Sequence, residues 1–176
     1  MCRGPVGDGA KRSLGCIVPY LESKGSHSPK IYWYLCIVIR EIDFINFPNW
    51  ADDSAIRAWL LSEMEILNLS LEVVYSFMSD EEFLKLKWEH LDHDTYTDII
   101  TYDLRPDGLE EANLCISIER VIANAATFMV SNTNELCRVC VHGLLHLAGY
   151  DDKDEVSKTE VRSQEQLALN RFHVEH

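Results

Sequence analysis

The stretch from Asn134 to Ala148 restricts the fold more than any other part of the chain. Leu136, Val139, Val141, Leu144, Leu145 and Leu147 recur at helical spacing and cover most of a helix circumference. A helix that is apolar nearly all round has to be enclosed by other elements. The chain therefore needs layers around it, and the neighbouring segments supply both strands and helices. The pattern implies a layered α/β arrangement with this helix packed against a sheet.

Those neighbours are read from periodicity and turn chemistry. Ala51 to Asn68 carries Ile56, Leu60, Met64 and Leu67 at helical spacing. Leu69 to Phe77 reads as a strand, and Ser79 followed by Glu82 forms a capping box that opens a short helix through Trp88. Thr97 to Tyr102 and Leu114 to Ile118 read as strands separated by a turn at Arg105-Pro106-Asp107-Gly108. Ser117 or Glu119 starts a helix to about Val130, and Glu155 to about Phe172 reads as an amphipathic surface helix.

The longest apolar run, Ile31 to Ile39, is too short to span a bilayer as a helix, which takes about 20 residues. Its β-branched and aromatic residues suit a buried strand. Residues 1–30, rich in Gly, Ser, Pro and Lys, show no periodicity and read as a flexible N-terminal extension. Residues 31–176 fit a single domain. Lys11-Arg12 before Leu14-Gly15-Cys16 faintly resembles a lipoprotein cleavage site. However, Asp8, Lys11 and Arg12 occupy the stretch where an apolar core would lie, so export is not expected.

Net charge is −13, distributed as +3 over residues 1–30 and −16 over the rest. An acidic body argues against broad, nonspecific capture of nucleic acid, which depends on Lys and Arg neutralising phosphates. The six cysteines are irregularly spaced, and four lie in apolar segments as small hydrophobes. Cys137 and Cys140 form a C-x-x-C pair with no second pair beside it, inside a helical pattern, and read as core residues.

The chemistry is concentrated in His142-Gly143-Leu144-Leu145-His146-Leu147-Ala148-Gly149-Tyr150-Asp151-Asp152. Histidines at i and i+4 sit one above the other on a helix face, about 5–6 Å apart at Cβ. Two imidazole nitrogens can then reach one ion at about 2.0–2.1 Å. Gly149 supplies the left-handed residue that ends a helix and reverses the chain. A carboxylate from Asp151 or Asp152 is then close enough to return to the same ion. Three protein ligands and one open position mark a catalytic metal site, with zinc the expected ion. Two buried imidazoles with no such role would cost their desolvation. His90 and His93 lack a third ligand at clear spacing and read as part of a solvated turn.

H-x-x-x-H-x-x-G-x-x-D nearly copies the metzincin protease motif, but Gly143 stands where those proteases carry the general-base Glu. A zinc peptidase-like hydrolase is thus the alternative reading. HGLLHLAGYDD together with TDIITYD at residues 97–103, LCISIER at 114–120 and ELCRVCVHGLLHLAGYDD resembles the YbeY family of bacterial rRNA-maturation endoribonucleases, from about residue 42 to 170.

The resemblance implies an α+β fold, with a small mixed four-stranded sheet packed with five or so helices and the metal site on a buried helix. It implies one zinc per chain, held by His142, His146 and, at the place where most members have a third His, Asp152. It further implies a cytoplasmic endoribonuclease acting on single-stranded RNA in 16S rRNA 3′-end maturation and ribosome quality control. The ribosome and ribosomal proteins would be partners, and no membrane would be involved.

The chain departs from the family pattern at Leu91, where most members have an Arg, and at Ala112-Asn113, where they have Gly-Asp. Arg138, one turn before His142, is the candidate replacement phosphate clamp, with Arg105 and Arg120 as others. A non-catalytic ribosome-associated metal-binding protein is the remaining alternative.

Overall fold

The structure is a computed structural model that describes residues 16–21, 31–36, 40–90 and 97–175. It divides into two compact units at the Ile39–Arg40 junction. In the first, β1 (Cys16–Leu21) and β2 (Ile31–Cys36) pair antiparallel, Cys16 opposite Cys36 and Leu21 opposite Ile31. The apolar run thus forms a strand, and its partner comes from the stretch whose composition showed no periodicity.

The second unit, from Arg40 onward, is built from β3 (Glu41–Ile45), α1 (Asp53–Ile66), β4 (Glu72–Met78), α2 (Asp80–His90), β5 (Ile99–Asp103), β6 (Glu111–Ser117), α3 (Ile118–Phe128), α4 (Asn132–Leu147) and α5 (Glu155–Glu175). Its sheet runs β3-β4-β6-β5; β3, β4 and β6 are parallel, and β5 is antiparallel to β6. This is the expected α+β fold, a mixed four-stranded sheet with five helices. The fourth strand of this sheet is Glu41–Ile45, which the sequence reading did not pick out, while the more apolar Ile31–Cys36 pairs within the hairpin of the first unit. Glu41-Ile42-Asp43-Phe44-Ile45 buries only Ile42 fully, so its strand signal is weak.

Local signals set the element ends. Asp52 caps α1 through the backbone N–H of Ser54 and Ala55, and Ser117 caps α3 at Arg120. Ser79 and Glu82 exchange the reciprocal bonds of a capping box ahead of α2. Between β5 and β6 the turn ends on Gly108, at φ +83°.

Alternation along β4 points Val73, Tyr75 and Phe77 to one face, where Ile42, Leu114 and Ile116 join them. Onto that face pack Ile56, Trp59, Leu60 and Met64 of α1, together with α4. Leu136, Val139, Val141 and Leu144 of α4 are fully buried, as its pattern requires. Burying each such side chain stabilises the fold by roughly 1.5–3 kcal/mol. α5 covers the layer with Ala168, Leu169 and Phe172, and Trp59 Nε1 donates to the Ala168 carbonyl at 3.2 Å. A smaller cluster of Phe83, Ile100 and Cys115 fills the opposite face of the sheet. Cys137 and Cys140 are buried free thiols; burial pushes Cys137 up to about 12 and holds Cys140 well above its usual range. They pack the core and stay protonated at neutral pH. Among the described residues no helix is long and apolar enough to cross a membrane.

Candidate metal centre

One helical turn on α4 stacks His142 and His146 with ring centroids 4.4 Å apart and planes nearly perpendicular. Their Nε2 atoms face each other at 2.9 Å. The other two ring nitrogens are already engaged: His142 Nδ1 lies 2.7 Å from Glu165 Oε1, and His146 Nδ1 lies 3.0 Å from the Tyr150 carbonyl. A carboxylate and a carbonyl only accept, so each Nδ1 carries the proton. In the neutral imidazoles both Nε2 lone pairs then converge on one point. A cation placed there would be bound by both nitrogens.

The chain reversal after α4 completes the group. Gly149 adopts φ +91°, and the N–H groups of Gly149 and Tyr150 close back on the carbonyls of His146 and Leu145, both at 3.0 Å. A Cβ at 149 would meet nothing within 4 Å, so backbone conformation and not space calls for glycine here. The turn aims the Tyr150 carbonyl at His146 and brings Asp152 alongside. His142, His146 and Asp152 each offer a ligand atom within 4.8 Å of the others. Asp151 is occupied differently, accepting from the N–H of Asp152 at 2.8 Å and from Lys153 Nζ at 2.9 Å. Two imidazole lone pairs and a carboxylate oxygen are a donor set that fits zinc.

Gly143 has a steric reason. A Cβ there would lie 2.1 Å from Leu114 Cδ2 and 2.8 Å from Ile99 Cδ1, because α4 rests directly on β5 and β6. A glutamate at this position would be driven against Leu114 and Ile99 of the sheet, so position 143 is a poor place for the protease base.

Two cavities meet at this group. One, of about 530 Å³, is lined by Asp80, Asp98, Glu119, Arg120, Asn124 and Arg138 among others. The second, of about 810 Å³, runs along β5 past Thr101 and Asp103 and includes Lys158. Thr97, His142 and Asp152 line both.

Arg138 does face the first cavity beside His142, yet its surroundings are not basic. Its guanidinium donates to Glu135 at 3.0 and 2.8 Å, to Asp98 at 2.8 Å and to Glu165 at 3.3 Å. Burial alone pushes this group down, but the hydrogen bond and charge of Glu135, with the charges of Asp98 and Glu165, outweigh it and raise the pKa above its ordinary value. The candidate phosphate clamp is thus held by three carboxylates, Glu135, Asp98 and Glu165.

Arg105 is also committed. It pairs with the Asp103 carboxylate at 2.8 and 2.7 Å, which holds Asp103 below the usual carboxylate range, and it donates to the Leu147 carbonyl at the end of α4. Arg120 pairs with Asp80 at 2.8 Å. Leu91 and His93 lie outside the described residues, as does the side chain of His90. Ala112 is buried in the core, and Asn113 donates to Glu111 at 3.4 Å.

Sequence reasoning missed Glu165, Asp98 and Lys158. The signal for Glu165 was its place in the buried stripe Val161, Glu165, Ala168, Leu169, Phe172 of α5, as the lone carboxylate among apolar residues.

A model of the endoribonuclease YbeY family matches residues 43–173. The endoribonuclease YbeY of Flavobacterium psychrophilum is 37% identical over 139 residues, covering 76% of this chain and 94% of that protein. That of Cytophaga hutchinsonii is 43% identical over 118 residues, covering 65% and 82%. The solution structure of TM1509 from Thermotoga maritima shares the fold, with a TM-score of 0.54 at 22% identity, covering 76% of this chain and 90% of that one. The match runs from within β3 to within α5 and contains the whole His142–Asp152 turn, so more than a local motif is shared: the chain belongs to the endoribonuclease YbeY family.

Proposed function

We propose that His142, His146 and Asp152 hold one zinc ion per chain, and that the site hydrolyses phosphodiester bonds in single-stranded RNA. The observation that carries this reading is the pair of Nε2 lone pairs converging at 2.9 Å, with each Nδ1 already committed and Asp152 alongside. Bound zinc supplies a Lewis acid that activates water near neutral pH and polarises a phosphoryl oxygen. Two joined cavities of about 530 and 810 Å³ give an extended strand a path on either side of the ligands.

The chain's own residues contribute positioning and charge. Asp152 brings a carboxylate to a ligand set whose other two members are imidazoles. Arg138 spends four of its five N–H groups on carboxylates and acts mainly by holding Asp98 and Glu165 in place, with one donor left for a phosphate oxygen. Lys158 lines the second cavity, and its partner Glu155 is largely exposed, so that cation can be redirected to a phosphate. With so few cations, the affinity for RNA comes from a few contacts at the site. The body remains acidic and excludes broad backbone binding. We further propose that this activity serves 16S rRNA 3′-end maturation and ribosome quality control in the cytoplasm, with ribosomal proteins as partners, a reading that membership of the endoribonuclease family supports.

The test uses a short single-stranded RNA. Zinc-loaded protein cleaves it, chelator-stripped protein does not, and added zinc restores cleavage. A His142→Ala, His146→Ala double variant that still cleaves fully overturns the reading. Thermal stability that falls on stripping while no RNA is ever cut would instead identify a non-catalytic metal protein.

A further inference from the structure

We propose that Glu165 is a positioning residue of the metal centre: it fixes His142 as the Nδ1–H tautomer, so that the Nε2 lone pair is presented toward Asp152 and His146. This rests on the reading of these three residues as metal ligands. Glu165 sits on α5, far from the ligands in sequence, with a side chain only 8% exposed. A buried carboxylate is costly unless paired and hydrogen-bonded. Its Oε1 lies 2.7 Å from His142 Nδ1 and 3.3 Å from Arg138 Nη1.

Charge balance for Arg138 does not by itself account for Glu165. Arg138 already has Glu135 and Asp98 at 2.8 Å, both shorter than its contact with Glu165. The tighter partner of Glu165 is the imidazole. Which ring nitrogen carries the proton is set by the hydrogen bond the other side makes. A carboxylate on Nδ1–H also raises the basicity of the ligating nitrogen, and outer partners of this kind change metal affinity by about 10–100-fold. His146 obtains the same service from the Tyr150 carbonyl, which is backbone and cannot be removed by substitution. Glu165 is therefore where side-chain control of the pair resides.

The experiment compares the full chain with Glu165→Gln and Glu165→Ala. Zinc affinity is measured by competition with a chromophoric chelator, and the His142 tautomer by ¹⁵N NMR of the metal-free protein. We expect wild type to bind one zinc and to show His142 protonated at Nδ1. Glu165→Gln should bind zinc about 10–100-fold more weakly and show a shifted d–d spectrum when loaded with cobalt. Glu165→Ala should in addition move the His142 proton toward Nε2. Should the alanine variant fail to fold, the isosteric glutamine variant carries the test. Wild-type zinc affinity and an unchanged cobalt spectrum in Glu165→Gln overturn the proposal. A wild type that binds no zinc overturns the metal reading itself, while the NMR result still reports on the Glu165–His142 contact.

Discussion

The His142–Asp152 turn and the charged wall beside it are built by opposite means. The turn takes its candidate ligands from one continuous stretch, where helical periodicity and a single left-handed glycine do the positioning. The wall gathers Asp98, Glu135, Arg138 and Glu165 from the residue just ahead of β5, from α4 and from α5. Local geometry can be written in eleven residues. The wall exists only once α5 has docked on α4, so its stability and the tuning of the ligands depend on the packing of the whole layer.

Removing the wall's one cation should show how much depends on that docking. In Arg138→Gln the carboxylates of Asp98, Glu135 and Glu165 lose their shared partner while remaining largely out of water. Breaking such a buried group should cost about 2–4 kcal/mol. At this chain length that is a fall in Tm of roughly 5–15 °C, read by calorimetry. Zinc affinity should fall with it, because Glu165 is no longer held from its other side. A variant with unchanged Tm and affinity would mean that the three carboxylates do not need the arginine, and the two regions would no longer contrast.

The turn makes a smaller and more specific demand. Gly149→Ala places a side chain at φ +91°, where an L residue is strained by about 1 kcal/mol although there is room for the methyl group. Gly108→Ala imposes a similar strain at φ +83°, in the connection between β5 and β6. Both should lower Tm by about 2–4 °C. Only Gly149→Ala should also weaken zinc binding, since Tyr150 and Asp152 hang from that reversal. Equal zinc affinities in the two variants would separate the glycine from the ligands.

This contrast also explains what could be read in the sequence. The capping box at Ser79–Glu82, the cap at Ser117, the turn at Arg105–Gly108 and the buried helix all depend on neighbours within a few residues, and each appears where its pattern places it. The His142, His146 and Asp152 group comes together for the same reason. β3 escaped because it carries two charges and one fully buried residue, and only its parallel pairing with β4 makes it a strand. Glu165 and Asp98 escaped because no local pattern specifies how α5 or the residue just ahead of β5 meets α4. Arg138 was visible as a cation one turn from His142, but the carboxylates around it were not.

A second non-local gathering, a row of carboxylates across the sheet, sharpens the comparison. Register sets Glu41 opposite Glu72, and Glu72 opposite Glu111, across three parallel strands. Like charges directly opposite one another destabilise a sheet. Burial, followed by the charges of Glu41, Glu111 and Asp43, pushes the Glu72 carboxyl above its ordinary value. A carboxyl raised in the folded state favours folding when protonated, and that contribution is lost as pH rises through its folded pKa. Glu72→Gln should therefore stabilise the protein by about 0.5 kcal/mol at neutral pH. The gain should shrink toward zero as pH falls through the carboxylate range, where wild-type Glu72 takes up its proton. Urea denaturation at a series of pH values measures this directly. A gain that is absent at neutral pH, or that grows on acidification, would mean that solvent already screens the row and that only the enclosed cluster at Arg138 needs its counter-charge.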